Sequence, residues 1–134
     1  MDLTNLPKRY RAIIADDDPM FRYALRAIVN EICEVIAEAE NGLAAIQAAE
    51  ALHPDLVFLD ISMPVLDGFQ AAVQFRRDLP TIRIIIVTSH SANAYVEQAF
   101  QSGAQVYVVK GSAVFQISEA IEAVMEGRTF RAGY

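Results

Sequence analysis

The chain has 134 residues, is 54% hydrophobic and carries 11 Lys and Arg against 17 Asp and Glu, a formal net charge of −6. A length near the commonest single-domain size predicts one domain with a sizeable core, and the acidic balance, with basic residues scattered and only Lys8, Arg9 and Arg11 close together, argues against direct nucleic-acid binding. The single cysteine, Cys33, excludes an internal disulfide and points to a packing role in a reduced compartment.

The opening residues, MDLTNLPKRYR, lack the apolar stretch of a secretion signal, and no apolar run approaches bilayer-spanning length, so a cytoplasmic location without membrane association is expected. RAIIAD (11–16) reads as a first strand. Asp18 is a candidate N-cap, Pro19 suits the first helical position, and Phe21, Leu25, Ile28, Val29 and Ile32 recur on one helical face. EVIAEA (34–39) is the second strand, followed by a helix that opens at Asn41-Gly42 and stops at His53-Pro54, because a residue before proline avoids helical angles. DLVFLD (55–60) is the third strand, and Asp67-Gly68 shapes the turn into a helix ending at Asp78, before Pro80. RIIIVT (83–88) is the fourth strand, then a helix from near Ser91 to Gly103, then QVYVVK (105–110) as the fifth strand. The last helix begins at Ser112, carries Val114, Ile117, Ile121 and Val124 on one stripe and ends at Gly127.

Strict alternation of strand and helix with short connections predicts an α/β protein with a parallel sheet, right-handed crossovers and helices on both faces, a three-layer arrangement. Strands one, three and four are apolar almost without interruption, whereas the second carries Glu34 and Glu38 and the fifth Gln105 and Tyr107. That places strands two and five at the edges and gives the flavodoxin-like order 2-1-3-4-5.

In such a sheet ligands lie beyond the carboxyl ends of the strands, where the first and third diverge. Four strands end there in polar residues that should converge: Asp16 and Asp17, Asp60, Thr88 and Lys110. Carboxylates packed this way suit a hard divalent cation, Mg²⁺ or Mn²⁺, which takes one or two carboxylates plus waters and phosphate oxygens. Asp60, alone at a strand end before the turn residues Ser62, Met63 and Pro64, is the candidate nucleophile toward phosphorus. The Lys110 ammonium would neutralise charge and the Thr88 hydroxyl would donate to a phosphoryl oxygen.

The motifs ADDDP, FLDISMPVLDG, IVTS and GAQVYVVKG, in this order between about Arg11 and Gly127, resemble the receiver domain of two-component response regulators. DDDP, Gly111 and the closing AVMEGRTFRAGY resemble most the NarL/FixJ subfamily, whose receiver precedes a LuxR-type helix-turn-helix; Gly111 stands where many receivers carry proline. The resemblance implies a receiver domain over 11–127, a short N-terminal segment over 1–10 and the start of an interdomain linker over 128–134. It implies that Asp60 accepts the phosphoryl group and that Asp17 and Asp60 hold Mg²⁺ directly, with Asp16 acting through water and the Ser62 backbone carbonyl as a further ligand. Thr88 and Tyr107 would form the switch pair, the ring moving inward as the hydroxyl turns to the phosphoryl group. A sensor histidine kinase would be the donor, slow self-hydrolysis would end the signal, and a homodimer on phosphorylation is possible. DNA would be reached only through a helix-turn-helix domain absent here, the chain being expected as a piece of a longer protein, with a free-standing receiver as the alternative.

Some residues have simpler readings. Asp18 is read as a cap rather than a ligand, His53 as a helix-end residue, and His90 either as a group at the site mouth that modulates hydrolysis or as an exposed loop histidine. Two other functions compete: a non-phosphorylated receiver-like interaction module, against which Asp60, Thr88 and Lys110 argue, and a flavin carrier, which needs a Ser/Thr/Gly-rich loop after the first strand to cradle the flavin phosphate that DDDP would repel.

Overall fold

The structure is a computed structural model that describes residues 10–132, apart from the side chains of Val114 and Ala132. In chain order the elements are β1 (Tyr10–Ala15), α1 (Pro19–Val29), β2 (Cys33–Ala39), α2 (Gly42–Leu52), β3 (Leu56–Leu59), α3 (Gly68–Asp78), β4 (Arg83–Thr88), α4 (Asn93–Ser102), β5 (Val106–Val109), α5 (Ala113–Met125) and β6 (Phe130–Ala132). All pairings are parallel, in the order β2-β1-β3-β4-β5-β6. The expected 2-1-3-4-5 order is therefore present and is extended by one strand.

Alternating side chains divide the central strands between two cores, as the period of two requires. Ile13, Val57, Leu59, Ile84 and Ile86 face α2, α3 and α4 together with Ala45, Phe75 and Val96. Ile14, Leu56, Phe58, Ile85 and Val87 face α1 and α5 together with Leu25, Val29, Ile117, Ile121 and Val124. Each fully buried Ile, Leu or Phe contributes roughly 1.5–3 kcal/mol, so both faces of β1, β3 and β4 demand apolar residues, and the uninterrupted runs follow. Val114, assigned to the α5 stripe, lies outside the described side chains, as Lys8 and Arg9 lie outside the described residues.

β5 differs from expectation. It is not an edge, because β6 pairs with it and matches Tyr107 with Arg131. Tyr107, expected to mark an edge strand, is fully buried in the core beneath α4. β6 falls within the stretch 128–134 expected as the start of a linker, and Arg131 Nη2 donates to Asn93 Oδ1 (3.0 Å) at the start of α4. β2 does form the other edge, where Ile36 is the extra residue of a bulge between the pairs Ala12–Val35 and Ile13–Ala37. No described helix is long and apolar enough to cross a membrane.

Local signals set the helix ends. Asp18 accepts from Met20 N–H (3.0 Å) with Pro19 at the first position of α1, so its capping role stands. Asp67 and Gln70 form a reciprocal capping box at α3, with bonds of 2.8 and 3.0 Å. His53 closes α2 in the left-handed region, φ 50°.

Candidate functional site

β1 and β3 each end one residue before an acid, and that acid keeps a last ladder bond. Asp16 N–H donates to Ala39 O (2.9 Å) and Asp60 N–H to Ala15 O (3.0 Å). Both backbones are held by the sheet while their side chains turn out of it. Gly68 closes the loop behind Asp60: its N–H donates to Ile61 O (2.8 Å), and a Cβ there would lie 2.3 Å from Asp60 O. Only glycine lets the start of α3 approach the strand end this closely.

The expected acids meet. Asp16, Asp17 and Asp60 each offer a carboxylate oxygen within 4.8 Å of the others, Asp16 and Asp60 buried and Asp17 exposed. Lys110 Nζ lies 2.8 Å from Asp16 Oδ2 and 3.1 Å from Asp60 Oδ2, and 4.4 Å above the centroid of the Phe21 ring. Asp60 Oδ1 accepts from Ile61 N–H (2.7 Å), and Asp16 Oδ1 accepts from Asp18 N–H (2.9 Å).

Charge in this pocket is unevenly matched. Full charges 4–5 Å apart repel by roughly 3–4 kcal/mol at an effective dielectric of about 20, less where one is exposed as Asp17 is, and one ammonium serves three carboxylates. Burial pushes the Asp16 carboxyl above its ordinary range, and the Asp60 charge adds to this, while Lys110 and the Asp18 N–H oppose it. Burial acts to lower the Lys110 pKa, but its bonds to Asp16 and Asp60 and their charges outweigh that, so the ammonium is held above its ordinary value. Asp16 Oδ2 is buried with the Lys110 ammonium, at 2.8 Å, as its ion-pair contact. Three carboxylates served by one ammonium, in an all-oxygen cluster open to solvent at Asp17, fit a divalent cation.

The remaining predicted residues lie along one side. Thr88 is fully buried at the end of β4, beside Val109 in the β4–β5 register, and its hydroxyl oxygen accepts a long bond from His90 N–H (3.5 Å). Tyr107 donates its hydroxyl proton to His90 O (2.7 Å), and its phenol is pushed up to about 12 by burial, then by charge on Asp60 and Tyr95. The His90 ring hydrogen-bonds Ser62 Oγ (2.9 Å) and stacks on Tyr95 with centroids 4.3 Å apart. The His90 ring is thereby joined to the loop that follows Asp60.

Sequence reasoning missed the cationic clamp on β1. Arg22 Nη1 donates to Asp16 O (2.6 Å) and its Nε to Glu38 Oε1 (3.1 Å). The signal was available: a cap at Asp18 places residue 22 one turn into α1, and helical side chains lean toward the N-terminus. Phe21, treated only as a core position, also underlies Lys110.

A parallel sheet flanked by five helices, with three carboxylates and a lysine gathered at its strand ends, is the arrangement of the flavodoxin-like receiver class of domain. Residues 12–122 match the response regulator receiver domain family, and the chain belongs to it. Within that family its similarity is to the NarL and LuxR type. It is 36% identical over 125 residues to the probable transcriptional regulatory protein NarL of Mycobacterium tuberculosis, across 91% of this chain and 57% of that protein, so it spans little more than half the length of that relative. A two-component response regulator of the LuxR family from Aurantimonas superposes with a TM-score of 0.86 at 31% identity, over 92% of this chain and 89% of that one. The isolated receiver domain of RcsB from Salmonella enterica, solved in the presence of phosphomimetic BeF3⁻, gives a TM-score of 0.85 at 25% identity, over 93% and 94%.

Proposed function

We propose that this receiver takes a phosphoryl group onto Asp60 from a phosphohistidine of a sensor kinase in the cytoplasm. The observation that carries this is the meeting of Asp16, Asp17 and Asp60 within 4.8 Å around the Lys110 ammonium. A carboxylate oxygen of Asp60 attacks phosphorus, the P–O bond forms as the P–N bond breaks, and the imidazole leaves with that electron pair. Ile61 N–H and Lys110, which already donate to Asp60, hold the carboxylate in place, and Lys110 remains as a counter-charge to the phosphoryl oxygens. Asp16, Asp17, Asp60 and the Ser62 carbonyl would hold Mg²⁺ or Mn²⁺, which when bound neutralises the acids and the incoming phosphoryl oxygens.

Thr88 donates its hydroxyl to the phosphoryl group, and the loop it begins carries His90, whose carbonyl holds Tyr107. A shift there alters the surface built from α4, β5 and α5, allowing two copies to pair and a LuxR-type DNA-binding domain to control transcription. Slow hydrolysis of the acyl phosphate resets the domain. The RcsB receiver studied with BeF3⁻ supports this reading by analogy. Incubation with acetyl phosphate and Mg²⁺, followed by intact-mass measurement, should add one phosphoryl group, and Asp60→Asn should add none while remaining folded. A parent mass that stays unchanged under conditions that label another receiver would favour an interaction module instead.

A further inference from the structure

We infer that Arg22 is a positioning residue of the cation site, fixing through one carbonyl the peptide group that joins Asp16 to Asp17. This rests on reading the acidic cluster as a cation site. The two acids are consecutive, so the direction in which Asp17 leaves β1 is set by the backbone angles of Asp16. Both polar groups of that backbone are held: N–H by Ala39 O at 2.9 Å and C=O by Arg22 Nη1 at 2.6 Å. Because the peptide unit is planar, anchoring the Asp16 carbonyl also orients the Asp17 N–H and Cα.

The anchor is itself held. Arg22 Nε donates to Glu38 Oε1 on β2, so the guanidinium spans the end of β1 and its neighbouring strand with its planar fork. A short, charge-assisted bond from a side chain 17% exposed differs from an ordinary surface ion pair. Arg26, one turn further along α1, supplies the contrast: it shares Glu38 at 3.0 Å but is 46% exposed. If Glu38 pairing were the whole role, the two arginines would be interchangeable.

The full chain is compared as parent, Arg22→Met, Arg22→Lys and Arg26→Met. Mn²⁺ affinity is measured from the electron paramagnetic resonance of the free ion, and the Asp17 amide is followed by ¹H–¹⁵N NMR without metal. Arg22→Met should bind Mn²⁺ about tenfold more weakly, as loss of a group that orients a metal ligand typically does, and should move the Asp17 amide resonance. Arg22→Lys, which keeps a charged donor but not the fork that reaches both Asp16 O and Glu38, should recover part of the affinity, and Arg26→Met should match the parent in both measurements. Parent-like affinity in Arg22→Met, or an equal loss in Arg26→Met, overturns the inference. A parent that binds no Mn²⁺ overturns the cation-site reading instead, and an Asp17 amide left unmoved by Arg22→Met then removes the positioning role as well.

Discussion

Lys110→Met removes the ammonium and keeps an apolar stem over Phe21. What remains is Asp16 facing Asp60, with side chains only 2% and 7% exposed, so water cannot replace the lost charge. Removing one partner of a buried pair costs about 3–5 kcal/mol. The cost here has a ceiling, because one carboxyl can take up a proton instead: from an ordinary pKa of about 3.9, protonation at pH 7 costs at most roughly 4 kcal/mol. The expected loss is about 3 kcal/mol at pH 7 without metal. Its pH dependence follows from Asp16, whose folded carboxyl already lies above its ordinary range through burial and rises further without Lys110. Between the unfolded and folded pKa values the folded chain holds the extra proton, so the variant loses stability as pH rises through that window, and the deficit fades below the unfolded pKa. Urea unfolding followed by circular dichroism in EDTA at pH 4 and pH 7 tests this. A deficit equal at the two pH values, or under about 1 kcal/mol at pH 7, would show that Lys110 does not hold the two buried carboxylates together.

Gly68→Ala places a methyl group 2.3 Å from Asp60 O and 2.8 Å from Ile61 Cα; both are backbone, so the strand end must move, and urea unfolding should show a loss of about 3 kcal/mol. A loss under 1 kcal/mol would mean the loop yields freely. Val65 sits at φ 69° and is 69% exposed; a left-handed conformation costs a β-branched residue about 1–2 kcal/mol, so Val65→Gly should raise the urea midpoint, and a lower midpoint would contradict the strain. Tyr107→Phe loses the bond to His90 O, an expected cost of about 1 kcal/mol. Because burial pushes the Tyr107 phenol up to about 12, the variant should also lose a late component from the ultraviolet titration, and persistence of that component would assign it to another tyrosine.

The sheet was legible where both faces of a strand are covered, because β1, β3 and β4 then admit little but apolar residues. The site was legible because those runs end in acids, and the topology brings Asp16 and Asp60 together without further information. β6 was not legible: three residues, Phe130-Arg131-Ala132, show no period, and the strand is held by β5 and by Asn93 rather than by any local preference. Tyr107 was misplaced for a related reason, since a polar-tipped residue marks an edge only if no further strand covers it. The start of α4 also shifted. It is expected near Ser91, yet the helix starts at Asn93 with Ala92 in the cap position and no side-chain bond. The loop before it is held by the His90 contacts to Ser62 and Tyr107, a tertiary restraint that outweighs the local signal.

Of the three neighbouring carboxylates, Asp60 is the one expected to become the acyl phosphate. The direct measurement is to label the protein with acetyl phosphate and Mg²⁺, reduce the acyl phosphate with borohydride and map peptides by mass spectrometry. Reduction turns the labelled aspartate into homoserine. Homoserine is expected at position 60 alone; homoserine at position 16 or 17, or at none of the three in a protein that has gained a phosphoryl group, would contradict the assignment of Asp60.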